Sequence, residues 1–371
     1  MKDIKLAAPC LFGTESLVAS DLRSMGFEEI ETRNGRVLFM SDINGIIRSN
    51  ICSRFCERIE ILIGEFDALS FERLYEATKV LPWEDWIDSD DAFPVTGWSI
   101  NSKLHSIPDC QKIIKKAVVD RLRDVYGISW FEEQGSLKRI NFSILKDKVS
   151  LMIDTSGVGL HKRGYRKNSN TAPIKETLAA SLCALARLKD YHTLYDPFCG
   201  SGTILIEGTM LANNIMPGFR RTFACEKWVE LDEKLWRDER SRALDLIKKD
   251  SDFSAVGSDI SADCVELSIA NAKKAGVFSK ITVNQADIKD FKKVTQCGTL
   301  ICNPPYGERM LDRKRAAEIY KTMGERFTDS KGWSFNIISP DEEFEAKYGT
   351  KARKKRKLYN GMIKCNYYSY F

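Results

Sequence analysis

The segment Cys302-Asn303-Pro304-Pro305-Tyr306-Gly307-Glu308-Arg309 carries the most chemical content in this chain. It follows a short apolar run. Two successive prolines cannot continue a β ladder, so the chain must leave the sheet there in a stiff, extended turn. In such a turn the Asn303 side-chain oxygen and the Pro304 carbonyl can both face one NH₂ group, in a geometry that proline rigidity sets in advance. An exocyclic base amine suits that arrangement. It is a poor nucleophile because its lone pair is delocalised into the ring, and two acceptors polarise it as it attacks an electrophilic methyl. No strong base is needed, since the amine becomes acidic only once methylated. Pro305 stiffens the same turn, and Tyr306 offers a face on which an extruded base stacks, worth ~1–3 kcal/mol.

Three further motifs precede this one. Asp196-Pro197-Phe198-Cys199-Gly200-Ser201-Gly202-Thr203 follows a short apolar strand and opens a helix. Ligands of doubly wound folds bind at such strand-to-helix turns, and glycines there let the backbone close on the ligand. The segment lacks the Gly-Lys-Ser/Thr ending of a phosphate loop. Asp196 would repel phosphate but could bind a cationic amino acid, and the ammonium group of methionine fits that need. Cys199 is expected to be a small residue packed in the turn, not a nucleophile, because no histidine is arranged in sequence to activate it. Asp259, followed by Ile260, ends the next strand, where a carboxylate grips a pair of ribose hydroxyls. Asp287, followed by Ile288, ends the strand after that, where a carboxylate could accept from an adenine amine while the apolar neighbour lies against the ring.

The elements that must hold these motifs change character along the chain. Residues 1–55 read as a small α+β ferredoxin-like module, with a hairpin at Asn34-Gly35. Residues 56–155 read as a second α+β module. It contains an amphipathic helix over 110–126, closed by Gly127, and paired strands around Lys146-Asp147. From about 156 to 371 the pattern is a helix over 173–188, then strands at 193–196, 255–259, 281–285, 299–302 and 334–338 alternating with helices. Such alternation predicts an α/β fold with a parallel sheet covered on both faces, and Asn360-Gly361 predicts a closing antiparallel hairpin.

The chain has 371 residues, 43% hydrophobic and 29% charged, the balance of an ordered globular protein. No apolar run approaches the ~18 residues of a membrane span, and no signal peptide is evident. Eleven scattered cysteines without a Cys-x-x-Cys, and only three histidines, argue against both a disulfide framework and a zinc site. A reduced cytoplasmic protein with no metal and no membrane partner is the expectation. The net charge of +5 is mild, but basic residues cluster. Lys112, Lys115 and Lys116 lie on one predicted helix, Lys162, Arg163 and Arg166 in a second group, Arg309 beside the Pro-Pro turn, and Lys354, Lys355 and Arg356 in a run from 351 to 357. These are the candidate contacts to a polyanion such as RNA.

Residues 55–155 resemble a THUMP domain, an RNA-binding module of tRNA and rRNA modification enzymes. Residues 156–371 resemble a Rossmann-like class I methyltransferase dependent on S-adenosyl-L-methionine (SAM). Asp-Pro-Phe-Cys-Gly-Ser-Gly-Thr with Asn-Pro-Pro-Tyr-Gly-Glu-Arg, flanked by His161-Lys-Arg-Gly-Tyr-Arg166 and Ala172-Pro-Ile-Lys-Glu-Thr177, is similar to the bacterial THUMP-domain guanine-N2 methyltransferases acting on large-subunit rRNA. The resemblance implies SAM contacts at Asp196, Phe198, Gly200, Gly202, Asp259 and Asp287, with Pro197, Thr203, Ile260, Ile288 and Asn303 beside them. It implies target-amine contacts at Asn303 and Pro304, and a cofactor-proximal role for residues 171–176. Some relatives carry a second methyltransferase domain; this chain ends at Phe371, so one methylation is expected. The alternatives are a tRNA guanine-N2 methyltransferase, an adenine-N6 or cytosine-N4 nucleic-acid methyltransferase, and an RNA-binding scaffold with a vestigial cofactor fold.

Overall fold

The computed structural model describes residues 3–166, 174–306, 310–328 and 331–371. The first half folds on one mixed sheet. Its elements are β1 (Ile4–Pro9), α1 (Glu15–Ser24), β2 (Glu28–Arg33), β3 (Arg36–Ser41), α2 (Ile43–Cys52), β4 (Glu60–Asp67), α3 (Phe71–Lys79), β5 (Val95–Ile100), α4 (Ile107–Tyr126), β6 (Ile140–Leu145) and β7 (Lys148–Asp154). The strand order is β2-β3-β1-β4-β7-β6-β5. Turn chemistry explains the hairpins: Gly35 has φ +74°, and Lys146 and Asp147 adopt φ +51° and +66°, the left-handed pair of a tight two-residue turn. Gly127, at φ +68°, ends α4 by donating its N–H to the Arg123 carbonyl.

The two expected small modules share this sheet. β1 pairs with β4 through Leu6↔Ile61 and Ala7↔Glu60, so hydrogen bonding runs across the boundary between residues 55 and 56. One apolar core serves both, containing Leu6, Phe39 and Ile51 from the first segment and Phe93, Ile114 and Leu151 from the second.

The second half contains α5 (Glu176–Leu185), β8 (Thr193–Asp196), α6 (Thr203–Ala212), α7 (Glu233–Asp245), β9 (Ser254–Asp259), α8 (Ala262–Ala275), β10 (Ile281–Gln285), β11 (Gly298–Cys302), α9 (Met310–Arg326), β12 (Trp333–Ser339), α10 (Phe344–Tyr348), β13 (Lys354–Asn360) and β14 (Ile363–Tyr370). The order is β10-β9-β8-β11-β12-β14-β13, parallel from β10 to β12, with β14 antiparallel to both its neighbours. The chain winds outward from β8 to β10 and then returns to β11 on the other side of β8. The β8/β11 pair is therefore the topological switch point, where ligands of such sheets bind.

Two expectations need correction. The helix predicted over 173–188 runs only from Glu176 to Leu185, with Arg187 in the left-handed region at φ +54° just beyond it, and residue 173 lies outside the described residues. Helix α7 was not anticipated, because Glu233–Asp245 is mostly charged with few apolar positions. Those few point away from the second sheet. Trp236 and Ala243, with Met216, Phe223, Cys225 and Trp228, join the core of the N-terminal half. The segment between α6 and β9 thus fastens the halves together. Lys138 reinforces the junction: it is almost fully buried, its ammonium 2.8 Å from Glu230 Oε1, 3.8 Å from Asp91 Oδ2 and 4.1 Å from the centre of the Trp228 ring. Among the described residues no helix is long and apolar enough to cross a membrane.

Candidate active site

All four chemical motifs sit at the carboxyl edge of the second sheet. β8 delivers Asp196, β9 Asp259 and β11 Asn303, while Asp287 follows β10 by two residues. They open on one cavity of about 670 Å³, whose wall includes Asp196, Pro197, Phe198, Gly200, Thr203, Asp259, Ile260, Asp287, Ile288, Asn303 and Pro305.

The turn after β8 is held from two sides. Cys199 N–H donates to the Ser258 carbonyl (2.9 Å), and Gly200 N–H donates to Asp259 Oδ2 (3.0 Å). The other oxygen of Asp259 accepts from Ser261 N–H (3.0 Å), so this carboxylate fixes two loops while facing the cavity. A carboxylate has about four acceptor sites, which leaves capacity for a ligand hydroxyl. The two glycines have different jobs. Gly200 has φ +51°, and a Cβ there would meet none of the described residues within 4 Å. Gly202 does not line the cavity. Its φ is +77°, and a Cβ would lie 2.3 Å from Ser268 Oγ, so its smallness lets the start of α6 pack against α8.

Asp196 is buried and accepts from Phe198 N–H (3.1 Å). Burial pushes its carboxyl up to about 8, the Phe198 N–H opposes the shift, and the negative charge of Asp259 adds to it. Among the described residues no basic side chain forms an ion pair with Asp196. A buried carboxyl on a cavity wall, short of positive charge, suits a ligand that brings a cation. Cys199 is buried, and desolvation together with Asp196 and Asp259 drives its thiol up, the opposite of what a nucleophile needs. Asp287 caps a short turn by accepting from Lys289 N–H (2.9 Å). Ile260 stays 69% exposed on the cavity wall, an apolar surface without cover.

On β11, Gly298–Cys302 is buried throughout and delivers Asn303 to the cavity wall. Asn303 Oδ1 is buried and has no hydrogen-bond partner among the described residues. An orphaned buried acceptor costs roughly 1–3 kcal/mol, a cost that a ligand donor would relieve. The rest of the loop departs from expectation. Pro304 is buried and absent from the cavity wall, so only the first of the two acceptors proposed for the amine has a place there. Pro305 lines the wall, and its carbonyl is 3.4 Å from the Tyr320 hydroxyl. Tyr306 is half-buried outside the wall, and its hydroxyl accepts from Asn360 Nδ2 (3.0 Å) at the end of β13. Arg309 and residues 171–173 lie outside the described residues.

Several basic candidates prove to be structural. Arg163 is buried, donating to the carbonyls of Leu160 (2.8 Å) and Arg54 (2.5 Å), with Glu207 3.6 Å away. It cannot reach a polyanion, because the 161–166 segment threads between the two halves. Arg166 donates to the Ile174 carbonyl and to Thr203 Oγ1 (2.6 Å), bracing the first residue of α6. The Lys115 ammonium donates to Phe93 O (3.1 Å) and Glu133 Oε1 (2.6 Å). Lys112, Lys116, Lys162, Lys354, Lys355 and Arg356 remain at the surface. Lys354 is level with Asn336 in mid-sheet, and only Lys357 reaches the level of Ser339 at the carboxyl edge. The run therefore climbs the edge strand toward the site; it is not gathered at its mouth. The wall supplied by α9, with Arg315, Glu318, Ile319 and Thr322, was not anticipated. Nothing in the spacing of those residues from the Pro-Pro loop signals it.

Comparison with known proteins agrees with this geometry. Residues 163–369 match the family described as "RMKL-like, methyltransferase domain", residues 5–60 the "RlmL ferredoxin-like domain" and residues 68–154 the THUMP domain. The chain is 41% identical over 373 residues to the "Putative RNA methyltransferase YpsC" of Bacillus subtilis, covering 100% of this chain and 97% of that one. It is 33% identical to the "Ribosomal RNA large subunit methyltransferase K/L" of Psychromonas ingrahamii, covering 96% of this chain and 49% of that one, so it spans about half the length of the K/L relative. Among solved structures, "SMU.472, a putative methyltransferase complexed with SAH" superposes with a TM-score of 0.94 at 40% identity, over 100% of this chain and 98% of that one. A Listeria monocytogenes protein described as a "predicted N6-adenine-specific DNA methylase" superposes at 0.95 with 42% identity, over 100% and 97%. With a ferredoxin-like segment, a THUMP domain and a cavity at the switch point of a mostly parallel sheet, the chain belongs to the RMKL-like family of methyltransferases.

Proposed function

We propose that this protein transfers a methyl group from SAM to the exocyclic N2 amine of a guanosine in RNA, with large-subunit ribosomal RNA as the substrate. The observation that carries the reading is the buried Oδ1 of Asn303, without a hydrogen-bond partner among the described residues, on the wall it shares with Asp196, Asp259 and Asp287. The residues present suit the cofactor. Asp196 would hold its cationic amino group, Asp259 its ribose hydroxyls, and Asp287 with Ile260 and Ile288 its adenine. When bound, SAM supplies a methyl group on a positively charged sulfur.

The chain's own part is orientation. Asn303 Oδ1 would accept a hydrogen bond from the incoming amine, drawing electron density onto its nitrogen as it takes the methyl group and the S–C bond breaks with its electron pair left on the sulfur. The proton is lost to solvent after transfer, so the site requires no strongly basic side chain. Pro304 and Pro305 hold Asn303 in place, and the bond from Asn360 to Tyr306 ties the loop to the terminal hairpin. The THUMP segment and the K/L relatives' name support an RNA substrate and a ribosomal one.

The test is transfer of a tritiated methyl group from SAM to unmodified large-subunit rRNA, tRNA and duplex DNA, followed by nucleoside mass spectrometry. N2-methylguanosine in the rRNA is expected. N6-methyladenine in DNA, the activity named for the Listeria protein, would overturn the reading.

A further inference from the structure

An aromatic side chain stands in the open where the two halves meet. Phe12 lies in the turn between β1 and α1 and is 59% exposed. The turn that presents it is firmly held. Glu15 accepts from Gly13 N–H (2.8 Å) and from Gly35 N–H (3.1 Å), and the Thr14 hydroxyl donates to the Leu11 carbonyl (2.7 Å). The Phe12 ring passes so near Gly35 that a Cβ there would lie 3.2 Å from it. It also meets the Tyr359 ring edge-on, with centroids 6.2 Å apart. Gly13 allows this approach, since a Cβ there would lie 2.9 Å from the Lys357 carbonyl. The Lys357 ammonium sits 5.5 Å from the centre of the Tyr359 ring.

The position of this pair gives it meaning. Tyr359 precedes Asn360, whose amide donates to the Tyr306 hydroxyl of the Asn-Pro-Pro-Tyr loop. Lys354 to Lys357 are exposed along the same edge strand, leading from mid-sheet to the pair. Fixed aromatic faces beside a track of cations are what single-stranded nucleic acid binds: the cations follow the phosphates and the rings stack on bases. An exposed phenylalanine on a well-bonded turn does little for the fold, so its rigidity is better explained by a partner with flat apolar faces.

We propose that Phe12, backed by Tyr359, is a stacking platform for an unpaired nucleotide flanking the target guanosine, with Lys357 contacting the adjoining phosphate. The proposal rests on the reading that the substrate is RNA. A base held there, one residue from the contact with the catalytic loop, would fix the register in which the target nucleotide enters the cavity. The ferredoxin-like segment would thereby share in choosing the nucleotide.

The test uses the full chain with unmodified large-subunit rRNA transcript, measuring the RNA Kd across a salt series, the SAM Kd and single-turnover methyl transfer. Phe12→Ala is expected to weaken RNA binding about 10-fold, within the range for loss of one stacked base. SAM affinity and thermal midpoint should be unchanged, as should the slope of log K against log salt. Phe12→Trp should restore binding, whereas Phe12→Leu should not. Lys357→Gln should instead flatten the slope by about 0.7, the value for one phosphate contact on a single strand. Unchanged affinity in Phe12→Ala, or full rescue by leucine, overturns the platform. These outcomes are separable from the methylation assay. Wild-type protein that methylates the transcript while Phe12→Ala binds it normally refutes the platform alone. Wild-type protein that transfers no methyl yet loses RNA binding in Phe12→Ala refutes the activity and keeps the platform.

Discussion

The backbone N–H of Gly200 donates a 3.0 Å hydrogen bond to Oδ2 of Asp259, joining the turn after β8 to the end of the neighbouring strand β9. The turn is thereby shaped before any ligand arrives, and Gly200 presents bare backbone to the cavity. Gly200→Val adds a β-branched side chain at φ +51°, a region such residues avoid, and projects it into the space assigned to SAM. Calorimetry should show no SAM binding by a variant that keeps its far-UV circular dichroism. Unchanged affinity in the folded variant would remove the turn from the cofactor site.

Asp196 makes cofactor affinity depend on pH. Its folded-state carboxyl titrates near 8, well above the usual carboxylate range, so in the free protein it is largely protonated at neutral pH. A raised acid stabilises the fold most at pH below its unfolded value near ~4, and that contribution is lost as pH rises through about 8. Binding a cationic amino group reverses the preference, so SAM should bind more tightly as pH rises from 6 to 8. Roughly one proton should be released per site at pH 7. Calorimetry in buffers of different ionisation enthalpy reads this directly. Asp196→Asn should abolish the proton release, weaken binding, and raise the thermal midpoint of the free protein at pH 8.

Lys138 is the buried charge of the junction between the halves, paired with Glu230 and close to Asp91. Lys138→Met leaves those carboxylates facing each other without a cation. Breaking such a pair costs about 3 kcal/mol, toward the lower end for buried pairs because Glu230 keeps contact with solvent. Chemical denaturation should show the loss, and Lys138→Met combined with Glu230→Gln should recover part of it.

The basic edge strand should contribute long-range attraction. Neutralising Lys354, Lys355 and Arg356 together should weaken RNA binding and flatten its salt dependence by up to about 2 in log–log slope. Lys355 already pairs with Glu345 (3.2 Å), so it should count for least. An unaltered slope would identify the run as a solvated face.

Local signals in the sequence carried the site further than they carried the architecture. The turn at Asp196–Thr203 and the loop at Asn303–Tyr306 were legible because glycine and proline dictate backbone shape within a few residues. The terminal hairpin was legible for the same reason: Gly361 takes φ +63° and Asn360 pairs with Ile363 around a two-residue turn. Pairing between distant segments left no such trace. Nothing near Leu6 announces Ile61 as its partner, so the sequence does not show that the two modules share one sheet. A run of basic residues does not say which side chain turns inward, and so Arg163 looked like a surface contact when it is buried between the halves. Arg315 and Thr322 reach the cavity only because α9 folds back over it, a tertiary event with no spacing rule behind it.

Asn303 is the residue on which methyl transfer should depend most. Its orphaned Oδ1 is proposed to bond the target amine most strongly as charge develops in the transition state, so its loss should fall on the chemical step and not on ligand binding. The direct measurement is rapid-quench methyl transfer under single-turnover conditions, with Asn303→Ala and excess SAM on unmodified rRNA. A rate lower by ~10²-fold or more is expected, by analogy with removing one preorganised polar group, with SAM and RNA dissociation constants within a few-fold of wild type. An Asn303→Ala enzyme that transfers methyl at close to the wild-type rate would contradict it.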